Sequence, residues 1–224
     1  MDACHVSDAD IRICFLGETG VGKTALINQL LYGRFDKQCG FTFGAELAGT
    51  TLFSKGYRFA DVQVWDTSGQ DMYLGRGRTF YKTMHCYVLV FDVNSAQSLG
   101  ALDKLIDDFA VQLHPERFEA TPYVLVGNKI DVDGVTKREV FEADVRRWCQ
   151  SRGNVHYFEA SAKDGSKVDD AFLHAIMIVW NTFCRQRTTM VEHGEPPVMR
   201  RIFFEHGESS GTKADESPCI ILRL

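Results

Sequence analysis

The sequence predicts an α/β fold: a mostly parallel, six-stranded sheet with helices on both faces, followed by a flexible C-terminal tail. Three observations predict it. Apolar strand-like runs alternate with helix-like segments over residues 10–185, the rhythm of successive βαβ units. Three of those runs, "CYVLVFD", "PYVLVGN" and "VHYFEAS", are continuous or nearly continuous in apolar residues, as strands covered on both faces are. A glycine-rich loop also lies between the first strand and the first helix, where a doubly covered sheet places its ligand loops.

Taken in order, "IRICFLG" (residues 11–17) reads as a short strand ending in glycine, and residues 23–32 as the first helix. "ELAGTTLFS" and "YRFADVQVWD" alternate as half-buried strands. The three apolar runs supply strands four to six, with helix-like segments near 97–113, 139–151 and 168–185. Residues 1–9 read as a flexible N-terminus and 186–224 as a flexible, hypervariable tail. In the tail "HGEPP" and "HGESSGTKADESP" break the rhythm and few core-sized periodic runs remain. There is no internal repeat.

Composition narrows the function. The chain has 224 residues, is 45% hydrophobic and can bury one good core. A formal net charge of −5 argues against a nucleic-acid binder, which needs a basic face. Seven scattered cysteines without a CxxC pair, with Cys14 and Cys86 in apolar runs, read as free thiols in a reducing cytosol. The polar, acidic "MDACHVSDAD" is no signal peptide, and Asp2 excludes myristoylation. No apolar stretch reaches the roughly 18 residues of a membrane span. These features predict a cytoplasmic protein that reaches a membrane only through an attachment.

The chemistry begins at "GETGVGKT", residues 17–24, which fits G-x-x-x-x-G-K-[ST] between a strand and a helix. Gly17, Thr19, Gly20, Val21, Gly22 and Ala25 belong to a loop whose backbone N–H groups wrap a phosphate at the helix N-terminus. Lys23 would reach the β- and γ-phosphates, and the Thr24 hydroxyl would bind Mg²⁺. "VGNKID" chooses the base. Asp131 can accept two hydrogen bonds from the N1–H and exocyclic amine of guanine, donors that adenine does not offer there. Asn128 would tie this loop to the phosphate loop, and the Lys129 stem would cover the base. In "WDTSGQD", Asp66 can hold Mg²⁺ through water, the Gly69 N–H can meet the γ-phosphate, and Gln70 can orient the attacking water. Thr42 is a candidate second hydroxyl on Mg²⁺. "EASAK" brings Ser161, Ala162 and Lys163 to the base, where the Ala162 N–H could recognise the guanine O6. The histidines show no metal-ligand spacing, so Mg²⁺ is the expected metal.

With these pieces in this order, residues from about 10 to 185 resemble the P-loop NTPase small G domain of the Ras superfamily, and specifically a Rab. The Rab likeness lies in "WDTSGQD" and "FYKTMHCYVLVFDV". "GRFDKQCGFTFGAEL", "HPERFEATPYVLVGNKIDV" and "WCQSRGNVHYFEASAKD" are most similar to the late-endosomal and lysosomal Rab subfamily. The resemblance implies GTP/GDP and Mg²⁺ as cofactors, and slow GTP hydrolysis that a GAP completes. It also implies a monomeric switch that recruits effectors in its GTP state to regulate vesicle and endosomal traffic. The implied partners are a guanine-nucleotide exchange factor, a GAP and effectors at the switch surface, with a GDI or escort protein if the chain is prenylated. The implied location is peripheral, on the cytosolic face of endosomal or lysosomal membranes. By position, Phe35 would stack on guanine, while Leu47, Trp65 and Phe80 would form the hydrophobic triad that effectors read. Trp65 alternatively packs in the core beside Asp66.

Several residues depart from the family pattern. Ser68 replaces the usual alanine beside the γ-phosphate, Asp71 and Met72 replace Glu-Arg, and Phe43 and Leu47 alter the first switch. Ser68 keeps open a second reading, a slow- or non-hydrolysing GTP-bound scaffold. A small-molecule P-loop kinase is the weaker rival, having no use for Asp131.

The end of the chain, "SPCIILRL", raises a separate question. Rabs carry geranylgeranyl groups on cysteines at or near the C-terminus, and Cys219 is a lone candidate for lipidation. Five residues follow it where a C-a-a-X box has three, and residues 186–224 carry five Lys/Arg against six Asp/Glu, so no polybasic signal assists. The competing readings are a carboxylate-terminated peptide for a PDZ-like groove and an unmodified end.

Overall fold

The computed structural model describes residues 10–37, 40, 42–54, 57–69, 81–113, 121–131, 137–153, 155–188 and 219–222. Strand β1 (Asp10–Leu16) leads through the glycine loop into helix α1 (Lys23–Tyr32). Strands β2 (Ala45–Ser54) and β3 (Tyr57–Thr67) form an antiparallel pair. Then follow β4 (Cys86–Asp92), α2 (Ala96–Leu113), β5 (Tyr123–Asn128), α3 (Glu142–Ser151), β6 (His156–Glu159), α4 (Val168–Thr188) and β7 (Cys219–Leu222). One sheet contains all the strands in the order β6-β5-β4-β1-β3-β2-β7, with β2–β3 its antiparallel pairing.

In β1 the apolar residues Ile11 and Ile13 to Leu16 are buried, while Asp10 is exposed and Arg12 half-buried. Ile11, Ile13 and Phe15 join the core on one face, together with Leu26, Ile27 and Leu30 of α1 and Phe172, Ala175, Ile176 and Val179 of α4. Cys14 and Leu16 join the other face with Leu102 and Leu105 of α2 and Val145 and Cys149 of α3. Each fully buried aliphatic or aromatic side chain contributes about 1.5–3 kcal/mol, which is why apolar residues fill most positions on both faces of the central strands. Cys14, Cys86 and Cys149 are buried free thiols, and burial pushes the Cys86 thiol up to about 12, an inert state.

The six strands and four helices expected from the sequence are present, with three differences. Helix α3 starts at Glu142 rather than near 139: its N-cap, Phe141, is extended (φ −93°, ψ 149°), and the Glu139 and Val140 N–H groups before it both donate to Val93 O. Helix α4 runs to Thr188, past the expected boundary at 185, since "RQR" contains no helix breaker. Residues 219–222, read from the sequence as part of a flexible tail, form a seventh strand parallel to β2. The run Cys-Ile-Ile-Leu is apolar and rich in β-branched residues, and the edge of β2 offers it unpaired backbone donors and acceptors.

Because β1, β3, β4, β5 and β6 are parallel, their carboxyl ends open on one rim of the sheet. In such sheets that rim is where ligands gather.

Candidate nucleotide site

The loop from β1 to α1 is shaped by glycines that nothing larger could replace. Gly22 has φ +97°, and a Cβ there would lie 2.3 Å from Asn128 Nδ2. A Cβ on Gly69 would lie 2.1 Å from the Thr19 backbone nitrogen, so the end of the β3 segment closes directly onto this loop. Helix α1 begins with no side-chain cap, which leaves its first N–H groups pointing into the loop. Lys23, only 6% exposed, folds back and donates to Gly17 O at 2.9 Å and Glu18 O at 3.0 Å. Burial pulls its ammonium down from 10.5 to about 8, partly offset by the Asp66 carboxylate. A buried cation whose hydrogen bonds among the described residues go to carbonyls is poised for an anion. Thr19, Gly20, Gly22, Lys23, Thr24, Ala25, Phe35, Thr42, Ser68, Gly69 and Lys129 all line one cleft of about 300 Å³.

Three oxygens converge at the floor of that cleft. Thr24 Oγ1 donates to Asp66 Oδ2 at 2.5 Å, Thr42 Oγ1 to the same oxygen at 3.2 Å, and the two hydroxyl oxygens lie 2.9 Å apart. Asp66 is 5% exposed, and its second oxygen, Oδ1, is buried without a hydrogen-bond partner among the described residues. Burial raises its pKa, with the Thr24 hydrogen bond and Lys23 pulling the other way. A buried carboxylate with a spare oxygen and two hydroxyls is a hard-oxygen set of the kind Mg²⁺ takes. The three residues expected from the sequence to hold Mg²⁺ therefore do come together, and they fit the ion.

On the far side the loops after β5 and β6 are stitched together. Asn128, 1% exposed, donates through Nδ2 to Val21 O at 2.9 Å and accepts from the Ala162 N–H at 3.1 Å. One amide thus links the phosphate loop, the "NKID" loop and the "SAK" loop. Asp131 is oriented by the Ser161 hydroxyl, which donates to Oδ1 at 2.8 Å, and by Lys163 Nζ 3.5 Å from Oδ2. Lys129 adopts a left-handed backbone (φ +67°) and donates through Nζ to Gly20 O at 2.7 Å, laying its stem across the cleft.

Two residues of this arrangement escaped the sequence reading. Asp92 pairs with Lys129 at 2.7 Å, and Asn94 Nδ2 donates to Lys129 O at 3.0 Å. The position of Asp92, a carboxylate at the carboxyl end of a central strand, was the signal available.

At the surface, Phe35 is 40% and Leu47 54% exposed. Leu47 lies opposite Trp65 across the β2–β3 pair. Trp65 is half-buried and packs against the core of the α2–α3 face, so it takes up part of both readings the sequence left open. Gln70, Asp71, Met72 and Phe80 lie outside the described residues, and so does the Cys219 side chain.

A glycine loop under a helix, a three-oxygen cluster and a clamped "NKID" loop on one rim of an α/β sheet define a P-loop nucleotide-binding protein. The chain belongs to the Ras family, whose sequence pattern matches residues 12–181, and it is a small GTPase, an enzyme that hydrolyses GTP. It is similar to Ras-related protein RABG3e of Arabidopsis thaliana, with 43% identity over 167 residues covering 73% of this chain and 79% of the relative. Ras-related protein Rab7 of Cenchrus ciliaris is 42% identical over 166 residues, covering 72% and 78%. Ras-related protein Rab7A of Mesembryanthemum crystallinum is 42% identical over 162 residues, with the same coverage.

Proposed function

We propose that this GTPase is a membrane-traffic switch of the late-endosomal Rab type, with its G domain at residues 10–185. The carrying observation is the convergence of Thr24, Thr42 and Asp66 oxygens beneath the phosphate loop, with Asp66 Oδ1 left without a partner among the described residues. Mg²⁺ held there would neutralise charge on the β- and γ-phosphates of GTP. Lys23 supplies a second, buried positive charge to the same phosphates. Asp131, aimed by Ser161 and Lys163, accepts from the guanine edge, and Phe35 and the Lys129 stem cover the ring. With nucleotide in place the Ala162 N–H, now engaged by Asn128, is shared with the guanine O6.

Switching follows from where the contacts sit. Thr42 precedes β2 and Gly69 follows β3, so loss of the γ-phosphate releases both loops together. Gln70 orients the attacking water, and a GAP completes the site. Effectors read Leu47, Trp65 and Phe80 in the GTP state. An exchange factor, and a GDI if Cys219 is lipidated, complete the cycle at endosomal or lysosomal membranes. No described helix is long and apolar enough to cross a membrane.

Chromatography of nucleotide copurifying with the protein tests this reading. GDP supports the working switch, and an adenine nucleotide refutes guanine recognition. The buried Ser68, lining the cleft where the family has alanine, favours one second reading, a GTP-bound scaffold that seldom hydrolyses. Copurified GTP would support it.

A further inference from the structure

The apolar run at the end of the sequence comes to rest on the outer edge of β2. Cys219–Leu222 pairs with it in the register Thr51↔Cys219, Leu52↔Ile220, Phe53↔Ile221 and Ser54↔Leu222. On its inner side β2 is bonded to β3, so among the described residues β7 is what covers the outward backbone groups of residues 51–54. An open sheet edge is a template for strands of other molecules, and folded proteins close such edges by covering or pairing them.

We propose that the distal half of β2 is a strand-binding site whose ligand is the chain's own segment Cys219–Leu222, docking in cis as a reversible edge cap. Two features of the sequence suit the segment to this role. Pro218, immediately before the segment, has no backbone N–H to donate to a neighbouring strand. The four residues that follow are the β-favouring Cys-Ile-Ile-Leu, with Arg223 next.

The tether makes a short strand sufficient. Thirty residues separate Thr188 from Cys219, a contour of roughly 100 Å, several times the radius of gyration of about 16 Å expected for a domain of this size. Tethers of this kind hold a ligand at an effective concentration on the order of millimolar. Four residues of parallel pairing make a weak contact in solution, and at that concentration the cap both closes and opens. The proximal half of β2, residues 45–50, carries Leu47 and is left uncovered by β7, so capping and the exposed Leu47 surface coexist.

Amide hydrogen exchange of residues 51–54 in the full-length, GDP-bound chain tests the cap. Successive N–H groups of a strand point to opposite sides, so of Ile220→Pro and Ile221→Pro at least one removes a ladder donor. At least one of these variants should speed exchange of the outward β2 amides tenfold or more, with nucleotide affinity unchanged. A synthetic peptide of residues 217–224 at millimolar concentration should then slow exchange again in that variant. Tenfold dilution should leave the wild-type protection unaltered. Equal exchange in wild type and both variants overturns the proposal, as does failure of the peptide to restore protection. Protection that falls on dilution, with a dimeric mass, overturns it in favour of strand exchange between two copies.

Discussion

Replacing Asn128 by alanine should uncouple the three loops of the nucleotide site. The side chain is 1% exposed and makes two hydrogen bonds to backbone, Nδ2–H to Val21 O and Ala162 N–H to Oδ1. Truncation leaves one carbonyl and one N–H without their partners in a site that water reaches poorly. Each such group costs about 1–3 kcal/mol, so the sum is about 2–6 kcal/mol before relaxation. Part of this falls on the stability of the nucleotide-free fold, since both bonds exist there already. If half of it appears as lost nucleotide affinity, GDP release accelerates by a factor of about 5 to 150. Stopped-flow release of a fluorescent GDP analogue measures this directly, and thermal unfolding of the same sample reports the remainder. Release within twofold of wild type, with an unchanged melting temperature, would refute the idea that this amide holds the loops together.

Four further outcomes are expected. Asp131→Asn should lose GTP and gain xanthosine triphosphate, because the carboxylate held by Ser161 and Lys163 becomes a donor on one side; binding assays with both nucleotides check it. Intrinsic turnover should lie on the order of 10⁻⁴ to 10⁻³ s⁻¹ and fall further in Gln70→Leu; coincident single-turnover rates would show that Gln70 does not position water. Leu47→Ala should abolish GTP-dependent effector capture with little change in stability, whereas Trp65→Ala should also destabilise the fold by about 2–4 kcal/mol because Trp65 packs on the core. Glu159 is held below the usual carboxylate range chiefly by its hydrogen bond to Arg138, so its contribution to stability is complete above about pH 4.5 and is lost as pH falls through its lowered folded value. Denaturant titrations from pH 6 to 3 should therefore show a shallower acid loss for Glu159→Gln than for wild type.

The sequence by itself determined the architecture and most of the nucleotide site, because both are written in local patterns. A strand covered on both faces is apolar along nearly its whole length, as β4 and β5 are up to the Asp92 and Asn128 that end them, and a phosphate loop must be built of glycines with a lysine and a hydroxyl at set offsets. "NKID" and "EASAK" follow strands whose carboxyl ends are bound to meet once the sheet is parallel. What the sequence could not determine depends on partners remote along the chain. The place of Asp92 at the carboxyl end of a strand marks it for the site but does not announce its pairing with Lys129, and nothing near Trp65 decides how deeply it sinks, since its burial is set by the elements of the α2–α3 face. Only the tertiary structure decided that Asp66 keeps one oxygen free while Thr24 and Thr42 share the other. It also decided the place of "CIIL". Four apolar residues beyond a stretch with no element rhythm carry too little local signal to be read as a strand. The edge of β2, more than 160 residues earlier, provides the backbone partners that make them one.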